Sequence, residues 1–263
     1  MSNVAFGLDN YIVGATLYGY YSGGGMSPVN WLDDSGSPSV AWQTPAGIKT
    51  LATGALASVT PATGARVWGL LGLFRTNLTP AASINFTLWN TSGPTAVWTI
   101  TVAGPDVGFG QVVVFPPNIT ADYVQFYIND DTNADNFVNV PLVYFGPSVS
   151  PIGPLAWGTT HGRDDGTDEQ VSLGGQEYPN NYWQRRRWEI FHDALRADEA
   201  WGFIDTLDRL GRRGGNILFV PDVTSSLVRK QAVFGRLKAT ADISYPYEAA
   251  DRRAWRARST ERL

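Results

Sequence analysis

The stretch Ser83-Ile84-Asn85-Phe86-Thr87-Leu88-Trp89 decides how the first half of this chain is read. Ile84, Phe86 and Leu88 alternate with polar neighbours, the period-two pattern of a strand with one buried and one wet face. Asn90-Thr91-Ser92-Gly93-Pro94 breaks the run and Val97–Val102 resumes it, which reads as a hairpin with a longer loop. Working outward, short runs rich in Val, Ile, Thr and aromatics recur at Ile12–Tyr20, Val67–Phe74, Gln111–Phe115, Tyr123–Ile128 and Val138–Phe145. No amphipathic helical stripe interrupts them. Many short strands between turn signals predict an antiparallel β-sandwich over about 1–146.

Charge divides the chain at the same place. Residues 1–150 hold three basic residues, Lys49, Arg66 and Arg75, whereas 17 of the 20 Lys+Arg lie beyond them. The seam Gly146-Pro147-Ser148-Val149-Ser150-Pro151-Ile152-Gly153-Pro154 predicts a stiff Pro/Gly linker over 147–157. With 263 residues, 43% hydrophobic and 17% charged, the chain is long enough for two cored, globular domains. A net charge of −4 argues against a general nucleic-acid binder, while leaving room for a local basic patch. Absent cysteines rule out disulfide and thiolate chemistry. No apolar run has the length of a membrane span, and Met1-Ser2-Asn3-Val4 does not open a signal peptide, so synthesis in a cytoplasm is expected.

Over 158–263 the pattern predicts a β-barrel or sandwich carrying one α-helix, so the whole chain reads as mainly β. Thr159–Glu169, polar and Gly-rich, is expected to be an extended loop or arm. Val171–Leu173 and Gln176–Tyr178 read as short strands. In Trp183–His192, Trp188, Ile190 and His192 alternate with Arg187, Glu189 and Phe191, as a strand requires. Ala197, Trp201, Ile204, Leu207 and Leu210 have helical spacing, with acids in the first turn, arginines in the last and Gly214-Gly215 as a stop. This places a helix at about 197–211. Asn216–Val220, Ala232–Ala239 and Asp242–Tyr247 read as further strands.

Several constellations are candidate sites. Asp131, Asn133 and Asp135 mimic the start of a calcium loop, but Gly is missing at the sixth position and Leu142 stands where the bidentate Glu belongs. The competing reading is an inter-strand turn held by Asx hydrogen bonds. Trp31 and Trp42, with Tyr18, Tyr20 and Tyr21, are candidates for stacking on sugar rings, or for core and oligomer packing. Arg185, Arg186 and Arg187 between Trp183 and Trp188 can meet phosphate or anchor a protein interface. Alternation on a strand sends neighbouring arginines to opposite faces, which favours the interface. Asp164 and Asp165 are candidate partners in that interface, and Arg252 and Arg253 add a basic C-terminal segment. As paired carboxylates, residues 164–169 would instead suit a glycan hydrolase. No G-x-S-x-G, H-E-x-x-H or P-loop motif occurs, so the expectation is no catalysis and no cofactor.

The order of these stretches resembles a known family. Asp9-Asn10-Tyr11, Ala15-Thr16-Leu17, Pro28–Asp34, Val40–Gln43, Phe74–Thr79, Tyr123–Asp130 and Phe145-Gly146-Pro147 resemble phage tail-tip proteins with a galactose-binding-like (discoidin-like) jelly roll. Leu173–Tyr178, Arg186–Glu189, Gly214–Asp222, Val233–Leu237 and Glu261-Arg262-Leu263 resemble the hub domain of distal tail proteins of long-tailed phages, related to the tail-tube fold. In distal tail proteins the hub comes first, whereas here it comes second. The resemblance implies a structural virion protein of the tail tip or baseplate, forming a ring that continues the tail tube. A hexamer is expected first and a trimer second. Implied partners are the tail tube, other tip or receptor-binding proteins and host glycans, with DNA met at most through the tube lumen. The alternative is a carbohydrate-binding module.

Overall fold

The computed structural model describes residues 3–13, 15–21, 24–26, 42–57, 65–91, 95–171, 177–212, 215–244 and 252–262. The chain divides into two compact units. One holds Ala5–Ser150 together with Val220–Ala232; the other holds Met1–Val4, Pro151–Phe219 and Val233–Leu263. The units change over between Ser150 and Pro151, with two exchanges: the 13-residue piece Val220–Ala232 belongs to the first unit, and Met1–Val4 belongs to the second.

The first unit begins with β1 (Ala5–Gly7), β2 (Thr16–Tyr21), β3 (Gly24–Met26), β4 (Trp42–Gln43), β5 (Thr50–Ala57), β6 (Arg66–Trp68) and β7 (Leu70–Phe74). It continues with β8 (Ser83–Asn90), β9 (Thr95–Ala103), β10 (Val112–Val114), β11 (Ile119–Ala121), β12 (Tyr123–Asn129), β13 (Asn139–Val140) and β14 (Leu142–Gly146). A six-stranded sheet runs β3-β2-β5-β12-β8-β9 and a three-stranded sheet runs β10-β7-β14, each with antiparallel pairs. Ile84, Phe86 and Leu88 of β8 and Val124, Phe126 and Ile128 of β12 meet Leu71, Leu73, Val112, Val143 and Phe145 in one buried cluster. The Phe126 and Phe145 rings, one from each sheet, lie 5.5 Å apart. Two antiparallel sheets closing on one core make this unit the expected β-sandwich.

Asparagines bolt its non-strand segments to the ladders. Asn10 donates to Val143 O at 2.9 Å and accepts from Phe145 N at 3.1 Å, standing in for a strand neighbour of β14. Asn77 does the same to the 137–139 segment, donating to Phe137 O and accepting from Asn139 N. The inserted piece is held by Gln111, fully buried, whose amide donates to Ala232 O at 2.9 Å and to Arg229 O. Arg229, in the short helix α3 (Val228–Gln231), returns hydrogen bonds to Ala103 O and Gly104 O.

The second unit contains β15 (Thr160–Val171), β16 (Glu177–Arg196), β17 (Ile217–Val220), β18 (Val233–Ser244) and β19 (Arg252–Glu261), antiparallel in the order β17-β18-β19-β16-β15. Three expectations change here. Residues 160–169 are not a loop or arm but a strand, paired with β16 from Thr160↔Glu189 to Val171↔Glu177. Residues 233–244 form one strand. The C-terminal basic segment is also a strand, with Trp255, Ala257, Ser259 and Glu261 inward and Arg256, Arg258 and Thr260 outward.

The helix lies where expected, from Ala197 to Arg212, but Ala200–Ile204 is a π turn between α1 (Ala197–Glu199) and α2 (Asp205–Arg212). The wider turn rephases the stripe: Ala200, Ile204 and Leu207 are buried, and Trp201 is 60% exposed. The seam is not one free linker. Tyr144 Oη donates to Pro147 O and Val149 bridges Phe6, so its first part belongs to the sandwich. Its second part is tied to the other unit: Ile152 N donates to Glu199 Oε1, Ala156 N donates to Phe191 O, and His192 Nε2 meets Gly153 O. Among the described residues no helix is long and apolar enough to cross a membrane.

Candidate functional site

On the sandwich, Asp131, Asn133 and Asp135 sit in the turn after β12, and the turn uses them internally. Asn133 Oδ1 accepts from Asp135 N, and its amide donates to Asn77 O and Asp130. Asp135 accepts from Asn77, and Asp131 accepts from Asn129. The centre of the turn is a neighbour, buried Asp130, which accepts from Thr79 N at 2.8 Å and Thr79 Oγ1 at 2.5 Å. The Asx reading accounts for these contacts. No group of three metal-ligating side chains converges among the described residues. Trp31 lies outside the described residues, and Trp42 stands in β4 opposite Val140.

The outward face of β9, β8 and β12 is polar. Asn85, Thr87, Thr99 and Thr101 hydrogen-bond to one another, and register places Gln125 and Tyr127 beside Thr87 and Asn85. Tyr127 is 41% exposed. At the end of this face Trp89 and Tyr123 stack with 10° between their planes. The polar half of the β8 alternation, Asn85 and Thr87, is the sequence signal for this face.

On the second unit, strand alternation separates the arginine run. Arg185 and Arg187 face outward, and Arg186 is buried. Asp164, opposite Arg185, accepts from Arg187 Nη1 at 2.5 Å and from Arg185 at 3.3 Å. Glu189 pairs with Arg258 at 2.6 Å and with Arg187 at 3.6 Å. Asp165 points to the other face and accepts from Gln184, which also accepts from Arg163. Asp164 and Asp165, adjacent on opposite faces, are not a pair astride one substrate bond.

Trp183 is 40% exposed, with the Arg185 guanidinium 5.0 Å above its ring. Gly166 opposite it permits this, since a Cβ there would lie 2.3 Å from the indole nitrogen. Trp188 is not a surface anchor. It is a core residue in contact with Phe219 and His161. Burial, then Arg186 and Arg163, lowers the pKa of His161. Arg252 and Arg253 pair with Arg196 and Leu195, whereas Arg187 pairs with Thr260. At ~3.3 Å per residue this separates them from the arginine run by roughly 25 Å, so the structure does not join the two basic segments. Arg256 and Arg258, inside the basic C-terminal segment, and Arg236 of β18 complete the outward basic rows. The alternation Arg256-Ala257-Arg258 was their signal.

One further feature stands out in the ladder itself. β16 is 20 residues long, but β19 pairs only with Arg187–Arg196. Residues 177–186 pair with β15 alone among the described residues. They make a two-stranded ribbon of about 30 Å at ~3.3 Å per residue. Pro179 lies in this part, where one flank has no ladder to donate to.

No protein-family model and no curated protein sequence matches the chain. Among solved structures, it is similar to the lectin domain of lectinolysin complexed with Lewis B antigen, at 14% identity and a TM-score of 0.40 over 54% of this chain and 98% of that one. It is also similar to a Streptococcus pneumoniae fucose binding module, at 13% identity and TM-score 0.38 over 53% of this chain and 96% of that one. A chitosan-binding module from a Paenibacillus sp. IK-5 chitosanase/glucanase is similar at 18% identity and TM-score 0.38, over 53% and 99%.

Proposed function

We propose that the chain is a structural subunit of a ring-shaped assembly, of the phage tail-tip kind that its sequence resembles, made in a host cytoplasm and carried in the virion. The observation behind this reading is the ribbon of residues 177–186 with β15. A lone two-stranded ribbon is marginal in water, and a long edge strand is a template for a neighbour. Packing against a second copy supplies the missing support, and the outward Arg185, Arg187 and Asp164 and half-exposed Trp183 provide polar and aromatic contacts beside it. Mass and symmetry of the purified full chain, by native mass spectrometry and electron microscopy, test it. A closed ring, six copies expected first, that dissociates when residues 167–181 are replaced by a tight turn supports the reading. A monomer at high concentration overturns it.

A second reading is glycan binding by the sandwich. The outward face with Asn85, Thr99, Gln125 and Tyr127 favours it, because sugars are held by hydrogen-bonding side chains beside an aromatic ring. A glycan array decides. Binding lost in Tyr127→Ala and Asn85→Ala assigns this face, binding lost in Trp31→Ala or Trp42→Ala assigns those residues, and no binding leaves the sandwich a scaffold.

A further inference from the structure

We infer that the outward face of β18, β19 and β16 is a binding surface for single-stranded nucleic acid. Register gathers its cations, which the Arg185–Arg187 run cannot do alone. Arg236 of β18 and Arg187 of β16 both pair with Thr260. Arg258 pairs with Lys238 on one side and Glu189 on the other, and Arg256 pairs with Phe191. Leu237, Ala257 and Ile190 are buried on the opposite face, whereas Arg236, Lys238, Arg256 and Arg258 are exposed. With Arg185 included, the band runs about 20 Å from Arg185 to Phe191 at ~3.3 Å per residue, across adjacent strands.

Among the described residues the carboxylates within this band are Asp164 and Glu189; Asp193 lies beyond its end, in the bulge past His192. Asp164 pairs with Arg185 and Arg187, and Glu189 with Arg258 and Arg187. Arg236, Lys238 and Arg256 have no ion pair among the described residues. Six cations against two carboxylates leave an excess of four positive charges here, ion pairs included, on a chain whose net charge is −4. Such a face fits a polyanion. Flat groups on the same face select among polyanions. Trp183, 40% exposed, carries the Arg185 guanidinium 5.0 Å over its ring, and Arg256 lies 4.8 Å over Phe191. Bases stack on aromatic rings and on arginine planes, and only unpaired bases are open to such stacking. Sulfated or carboxylated sugars present no π face.

The inference is independent of ring formation and of glycan binding. It is tested on the full chain by fluorescence anisotropy with a short labelled oligothymidylate, from low ionic strength to about 0.1 M salt, where the screening length is about 10 Å. Saturable binding is expected, with the logarithm of affinity falling linearly with log salt by about 0.7 for each phosphate neutralised. Arg236→Ala and Lys238→Ala each weaken it about threefold or more and reduce that slope by about 0.7. Trp183→Ala weakens it at least about fivefold with the slope unchanged, because stacking releases no counterion. Trp183→Phe keeps a ring and retains more of the binding than Trp183→Ala, which separates stacking from simple loss of charge. At about 0.1 M salt Arg209→Ala, which removes the same charge from α2, changes affinity less than about twofold. Equal weakening by Arg209→Ala, unaltered affinity in Trp183→Ala, or no saturable binding overturns the inference. Saturable binding of dextran sulfate without binding of oligothymidylate assigns the face to an anionic polysaccharide and also overturns it.

Discussion

Arg186 and Glu261 form a bidentate ion pair across the β16–β19 ladder, both almost out of solvent and 75 residues apart in the chain. Glu261 also accepts the Arg186 backbone N–H, so one carboxylate ties side chain and main chain together. Removing either partner leaves a buried charge without its counterpart. Glu261→Ala or Arg186→Ala should each destabilise the second unit by about 3–5 kcal/mol. The double variant Arg186→Ala/Glu261→Ala should cost less than the sum of the singles. Urea unfolding followed by Trp fluorescence gives the three numbers, and additivity would refute the coupling.

Gln111 carries the attachment of residues 220–232 to the sandwich. Gln111→Leu keeps the bulk but removes the donor to the carbonyls of Arg229 and Ala232. Stranding buried carbonyls costs about 1–3 kcal/mol. The loss should be local. Hydrogen exchange should quicken across α3 and at Ala232, while β8 and β12 stay protected. Uniform acceleration through the sandwich would contradict this.

What was legible in the sequence follows the buried period. β8 and β12 were read correctly because each keeps one wet and one dry face over seven or eight residues. β15 was missed as a strand because it lies at the sheet edge, and its Gly, Asp and Arg residues carry no apolar alternation. β19 was missed because its inward set includes Ser259 and Glu261, and Glu261 is tolerable inside only beside Arg186 from another strand. The helix could be placed from its charges and glycines, but not its π turn, which moved Trp201 off the buried stripe.

His192 makes stability depend on pH. Burial is the main cause that lowers its pKa below the ordinary 6.5, against the opposing influence of the Gly153 carbonyl, Glu199 and Asp193. Nδ1 is buried without a hydrogen-bond partner among the described residues, so protonating it would bury a donor with nothing there to accept. The folded state thus resists a proton that the unfolded state accepts. Above about pH 6.5 both states are neutral and the full stability is present. As pH falls through 6.5 towards the lower folded value, stability is lost. His161, also lowered mainly by burial, acts in the same direction. Urea midpoints measured from pH 8 to pH 5 should fall on the acid side, and less steeply in His192→Gln. An unchanged slope in that variant would assign the effect elsewhere.

Asp130 distinguishes the Asx turn from a calcium loop. Its carboxylate accepts from Thr79 N, Thr79 Oγ1, Thr132 Oγ1 and Asn133 Nδ2, and this network joins the turn after β12 to the segment before β8. Asp130→Ala strands buried donors and should cost about 1–3 kcal/mol. Asp131→Ala, which loses only the exposed contact with Asn129, should cost under about 0.5 kcal/mol. If the turn is purely hydrogen-bonded, millimolar calcium or a chelator leaves the melting temperature of the sandwich unchanged. A ligand that binds only the folded state would raise that temperature with concentration. Calorimetry with and without calcium therefore separates the readings: a calcium-dependent rise abolished by Asp131→Ala would restore the metal site, and a flat response with a strong Asp130→Ala effect establishes the turn.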